Sequence, residues 1–99
     1  MIKHVVTFKF KGSPEERRAV AESFEEALVK LPAQIPQLLS IEVGRNVNPN
    51  EEWDLVLTAL AKNLEDVAIY SAHPAHQEAV ALIAPYKDKR ACVDYQVED

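Results

Sequence analysis

Three histidines and one tyrosine carry the chemistry this chain can offer. His73 and His76 bracket Pro74-Ala75, Tyr70 lies three residues ahead of that corner, and His4 stands near the N-terminus. Histidine titrates near neutral pH and can take or return a proton there. A tyrosine hydroxyl can hold an oxyanion or orient a carbonyl. If the groups converge, the chemistry is proton transfer in a water-poor pocket. Tyr70 and His76 are then the candidate acid/base pair, with His4 as pocket support. The expected walls are Phe8, Phe24, Leu28, Leu57 and Val80. His76 falls in the first turn of a helix opening at Pro74, where the positive end of the helix dipole favours the neutral, basic imidazole.

Other readings of the same residues compete. A histidine before proline at a helix junction can simply satisfy orphan backbone groups, and His73 is assigned that role. His73 and His76 are three apart, and His4 offers a third nitrogen, which is a metal-like set. Pro74 breaks the register that would align two imidazoles, and no carboxylate stands at a matching spacing, so no metal is expected. Ser71 and Cys92 lack a base-and-orienter context for nucleophilic catalysis. Gly12 and Gly44 are the only glycines, so no phosphate loop or dinucleotide fingerprint exists and no cofactor is expected.

The elements that must position these groups are readable from periodicity. Residues 2–10 alternate, with Ile2, His4, Val6, Phe8 and Phe10 on one face of a strand. Ser13-Pro14-Glu15-Glu16 is a capping box with proline at the first helical position. Val20, Phe24, Leu28 and Leu31 then recur at helical spacing until Pro32 stops the helix. Leu39–Val47 and Trp53–Ala61 read as two strands of a hairpin around Asn48-Pro49-Asn50. Asn63 caps a second helix running to about Ala72. Pro74 bars helical geometry at His73, so that helix breaks and resumes over about Ala75–Ala84. Arg90–Val97 alternates as a fourth strand. The order β-α-β-β-α-β predicts one ferredoxin-like α+β domain over 1–99, a four-stranded antiparallel sheet with its helices on one face.

Strands two and three carry apolar residues on both faces; Val56 and Leu60 oppose Leu55 and Leu57. A bare apolar sheet face on a monomer is a large exposed patch, and a second sheet is its simplest cover. A homodimer is therefore expected. The chain has 99 residues, 47% of them apolar, with a net charge of −5. That acidic balance repels phosphate backbones and anionic lipid, so neither nucleic acid nor a membrane is an expected partner. Cys92 is the only cysteine, which excludes an internal disulfide. The N-terminal stretch has no signal-peptide pattern, and the apolar run Ala79–Pro85 is far below the roughly 20 residues a membrane helix needs. A cytoplasmic location is expected.

Several segments together carry a family resemblance: Ile2-Lys3-His4-Val5-Val6 with Phe8-Lys9-Phe10, Ile35-Pro36, Glu42-Val43-Gly44-Arg45-Asn46-Val47, Trp53-Asp54-Leu55, Tyr70 with His73-Pro74-Ala75-His76, and Val93-Asp94-Tyr95. The ensemble resembles the stress-responsive A/B-barrel (Dabb) family of dimeric α+β-barrel proteins. The resemblance implies a homodimer whose two sheets form a barrel. Some plant members look like cofactor-free polyketide cyclases, with an acid/base pair at the positions matching Tyr70 and His76 and a pocket histidine matching His4. Ala61 stands where a bulkier aromatic is common, which implies a wider pocket. The expected function is a dimeric protein binding a small apolar or aromatic molecule between sheet and helices, with cyclase- or isomerase-like acid/base chemistry. The alternative is a non-catalytic dimeric stress or structural protein.

Overall fold

A computed structural model describes all 99 residues. It begins with β1 (Ile2–Phe10), in which His4, Val6, Phe8 and Phe10 are buried and the residues between them are half-buried. Gly12 turns the chain at φ 112° into α1 (Pro14–Leu28). The capping box forms as the spacing predicts: Ser13 Oγ accepts from the Glu16 N–H, and Glu16 accepts from the Ser13 N–H, each at 3.2 Å. The helix ends at Leu28, three residues short of the Leu31 that the periodicity predicts. Leu31–Ala33 instead form a 3₁₀ turn around Pro32, which has no N–H to continue an α-helical ladder.

β2 (Ser40–Arg45) and β3 (Leu55–Ala61) form the expected hairpin, both shorter than their alternation suggests. Side chains replace the ladder beyond those ends. Asn46 Nδ2 donates to the carbonyls of Asn48, Glu51 and Trp53, at 3.1, 3.3 and 2.7 Å. Asp54 Oδ2 accepts the Phe10 N–H at 2.8 Å and so finishes the end of β1. Val47 lies outside β2 and is 95% exposed, so it joins no apolar face.

Asn63 caps α2 (Leu64–Ala72) by accepting the Asp66 N–H at 2.8 Å. α3 (Pro74–Ile83) follows directly, and β4 (Lys87–Gln96) begins three residues before the expected Arg90. The sheet order is β2-β3-β1-β4, antiparallel throughout. This is the ferredoxin-like α+β arrangement, with β1 central and the second helical segment broken at His73-Pro74.

The core lies between the helices and one sheet face. Phe24 is 0% exposed and meets Phe8 edge-on, ring centroids 5.2 Å apart. Loss of such a ring costs about 3–5 kcal/mol, so this contact is a principal tie between α1 and β1. Ile41 and Val43 pair with Ala59 and Leu57 on this same face.

The opposite face differs in one respect from the sequence reading. Its apolar residues come from β1, β3 and β4: Val5, Val56, Leu60, Val93 and Tyr95. On β2 the outward positions are Ser40, Glu42 and Gly44, because they pair with Leu60, Thr58 and Val56. Val93 is 62% exposed and Tyr95 45% exposed. No helix of the chain is long and apolar enough to cross a membrane.

Candidate functional site

The site starts from the break between α2 and α3. Pro74 forces His73 into extended geometry, φ −64° and ψ 138°. His73 then serves both helices. Its N–H donates to the Tyr70 carbonyl at 3.2 Å, and its Nδ1 accepts the Ala75 N–H at 3.0 Å. The break frees the Ser71 carbonyl, which in a continuous helix would accept the Ala75 N–H. His76 Nδ1 and Gln77 Nε2 take it instead, each at 2.8 Å. A carbonyl only accepts, so His76 Nδ1 carries a proton. In the neutral ring Nε2 is then the basic nitrogen.

A cavity of about 130 Å³ lies beside this break. Tyr70, Ser71, His76 and Val80 line it from the helices, and His4, Val6, Phe8, Leu57, Lys87 and Arg90 from the sheet, with Phe24 at one side. The three sequence-derived candidates therefore meet at one cavity. The His4 and Tyr70 rings are edge-on with centroids 6.0 Å apart; Tyr70 and His76 are tilted at 4.6 Å. Four of the five expected walls line the cavity. The fifth, Leu28, is fully buried in the core and lines no part of the cavity. Ala61 is buried and lines no part of it, so the small residue there does not widen the cavity.

Tyr70 is 1% exposed and its hydroxyl has no hydrogen-bond partner. Burial, opposed by Arg90, pushes its pKa up to about 12, so it remains a neutral donor. A buried hydroxyl left unpaired costs about 1–3 kcal/mol, and an acceptor inside the cavity would recover that. His76 is held below the ordinary histidine value, first by burial; its bond to Ser71 acts the other way, and His4 and Arg90 add to the lowering. The dipole argument gives the right direction, but desolvation is the leading cause.

His4 is 6% exposed. Its Nδ1 lies 2.5 Å from Asp94 Oδ1, so Nδ1–H donates to the carboxylate, which holds the ring with Nε2 free. Cys92 Sγ stands 3.5 Å from the same nitrogen. These three residues, and not the His73–His76 pair, are where metal-ligating types gather, all within 4.8 Å. The nitrogen a metal would need is the one that donates to Asp94. Burial, then Asp94, push the Cys92 thiol up and keep it from the thiolate a soft metal prefers. The cluster works as a hydrogen-bonded mount for His4.

The sequence reading did not place Arg90 and Lys87 on the cavity wall or Asp94 and Cys92 beside His4. The signal for them is register: His4, Val6 and Phe8 pair with Asp94, Cys92 and Arg90, so the polar set of β4 shares the helix-side face. A larger concavity, about 940 Å³, opens between α1 and the β2–β3 loop. It is an open, charged furrow, and two of its three arginines are engaged: Arg17 with Asp54 at 3.3 Å and Arg45 with Glu25 at 2.9 Å. The enclosed cavity is the better candidate because its polar groups converge inside apolar walls.

The fold and the site together define a ferredoxin-like α+β protein with a small cavity between sheet and helices, lined by histidine and tyrosine. Residues 2–97 match the family model of the stress responsive A/B barrel (Dabb) domain, and the chain belongs to that family. A dimeric protein of unknown function from Bacteroides fragilis shares the fold at TM-score 0.93 and 44% identity, over 97% of this chain and 95% of that one. A dimeric ferredoxin-like protein of unknown function from Thermobifida fusca matches at TM-score 0.80 and 28% identity, over 97% and 90%. At3g17210 from Arabidopsis thaliana matches at TM-score 0.78 and 26% identity, over 100% and 97%. No curated protein matches the chain.

The His76 environment makes a pH prediction. Its folded pKa lies below the unfolded value, so the unfolded chain takes up the proton first. The stability that neutral His76 contributes is fully present above 6.5, the ordinary value, and is lost as pH falls below it toward the lower folded pKa. Urea midpoints measured above and below 6.5 should drop less in His76→Gln than in the wild type. Equal drops in the two proteins would contradict the buried, neutral His76.

Proposed function

We propose that the cavity between sheet and helices binds a small apolar or aromatic molecule, and that Tyr70 and His76 act on it as an acid/base pair with His4 in support. The observation that carries this reading is the convergence, inside apolar walls, of an unpartnered buried hydroxyl and an imidazole whose Nδ1–H is already committed. His76 Nε2 is the base. It takes a proton from carbon beside a substrate carbonyl, and the C–H electron pair moves onto the carbonyl oxygen. The Tyr70 O–H, neutral at working pH, donates to that oxygen as its charge grows. Return of the proton from His76 to another atom completes an isomerisation; attack of the carbanion on a second carbonyl, whose oxygen then takes the proton back from His76, completes a ring closure. Neither route needs an external oxidant or cofactor. His4, mounted on Asp94, keeps its Nε2 available to a second polar atom of the guest.

Size limits the guest. A cavity near 150 Å³ accepts a benzene-sized molecule, so about 130 Å³ suits one ring or a short acyl chain. A second, non-catalytic reading has one specific observation in its favour: His73 and His76 both satisfy backbone groups at the break, which a purely structural corner also requires. The two readings part at Tyr70, whose hydroxyl supports no other group of the chain.

We also infer that two copies pair through the outer sheet face and close a barrel. Val56, Val93 and Tyr95 are exposed there, and the Bacteroides relative at 44% identity is dimeric. This apolar face is what a second sheet covers.

Tyr70→Phe should match or exceed the wild type in thermal stability, because it removes an unpaired buried polar group, yet lose the ligand-induced melting shift given by single-ring compounds. A Tyr70→Phe protein that melts lower and still responds to ligand would favour the structural reading. Light scattering should find a dimer at micromolar concentration, and Val93→Glu should shift it to monomer. A wild type that is already monomeric there would refute the pairing.

A further inference from the structure

We propose that the molecule bound in this cavity is an anion, a carboxylate on a single ring or short acyl chain, whose charged group is held at the mouth by Arg90 and Lys87. The inference rests on the reading of the cavity as a ligand site and goes beyond it by naming the ligand's charge class.

The first observation is a charge distribution. The chain has a net charge of −5, yet this cavity is lined by two cations and no carboxylate. Of the nine other lysines and arginines, three find acids: Arg17 pairs with Asp54, Arg45 with Glu22 and Glu25, Lys89 with Glu52. Arg90 and Lys87 pair with none. Asp94, the acid nearest on the same strand face, is engaged by His4.

The second observation is a register shift. β4 pairs with β1 regularly from Gln96 to Lys89 and then slips between Lys9 and Phe10. Regular pairing would set Asp88 opposite Phe10, on the face that holds Phe8 and Arg90. The slip sets Lys87 there instead, and Lys87 lines the cavity while Asp88 does not. Bulges commonly re-aim a side chain next to a functional site. Here the bulge exchanges an acid that would neutralise Arg90 for a second cation.

The third is the unpartnered Tyr70 hydroxyl, buried on the cavity wall. It offers a neutral donor deeper than the two cations. A guest with a carboxylate at the mouth and a carbonyl or phenolic oxygen further in would satisfy both. Arg90 also acts electrostatically on Tyr70 and His76, which places its charge within reach of the proposed acid/base pair. Guanidinium and ammonium groups bind carboxylates through charge-assisted hydrogen bonds.

The test compares benzoate with benzamide, its neutral analogue of similar shape, by titration of ¹⁵N-labelled protein. Benzoate should bind the wild type about tenfold more tightly, perturbing Tyr70, His76 and Arg90. The doubly substituted Arg90→Gln, Lys87→Gln protein should bind the two compounds alike; both residues are exposed, so the fold is retained. Equal binding of the two compounds by the wild type, or a benzoate preference that survives both substitutions, overturns the anion inference and leaves the ligand-site reading standing. If neither compound perturbs any cavity residue at millimolar concentration, the ligand-site reading fails and the inference falls with it.

Discussion

In an unbroken helix the carbonyls of Tyr70 and Ser71 would accept the N–H groups of residues 74 and 75, and Pro74 has no N–H to give. That missing donor organises the whole corner. Tyr70's carbonyl turns to the His73 N–H, and the Ala75 N–H, now the start of a new helix, is capped by the His73 ring. Ser71's carbonyl is left for the His76 ring. A backbone shortage thus decides a side-chain tautomer: His73 accepts at Nδ1, and His76 donates at Nδ1. The bond that His76 makes at Nδ1 leaves its other ring nitrogen unengaged.

A second constraint comes from β1. Its central place in the sheet lets it pair on both sides, so its register sets what every neighbour presents to the helices. A slip by one residue would turn His4, Val6, Phe8 and Phe10 outward. The β4 pairing brings Asp94 to His4 and Arg90 to Phe8, and the local slip near Phe10 brings in Lys87. The same alternation sends Val93 and Tyr95 to the outer face. One pairing pattern therefore supplies a polar rim to the cavity and an apolar outer face.

Much of this was open to a reader of the sequence. The alternation over residues 2–10, the Ser13–Glu16 box, the Asn63 cap and the proline break are local signals, each backed by a bond in the structure. Tyr70, His76 and His4 could be grouped because the two helical residues flank the break and His4 shares the face of Phe8. β4 was the harder part. Its apolar residues suggest a buried side, but they face away from the helices, and two of its cations, Lys87 and Arg90, line the cavity. That inversion follows from pairing register, which a single strand's alternation does not contain. The bulge beside Lys87 is likewise a property of two strands. The ends of β2 and β3 depended on Asn46 and Asp54 replacing ladder bonds, chemistry that turn composition announces without fixing where the strand stops.

The central claim is that the break holds His76 neutral with its basic Nε2 on the cavity side. Long-range ¹H–¹⁵N correlation of the imidazole rings at neutral pH tests it directly. The account predicts opposite tautomers three residues apart: protonated Nε2 and bare Nδ1 for His73, protonated Nδ1 and bare Nε2 for His76. A His76 ring protonated at Nε2, or charged at that pH, would contradict it.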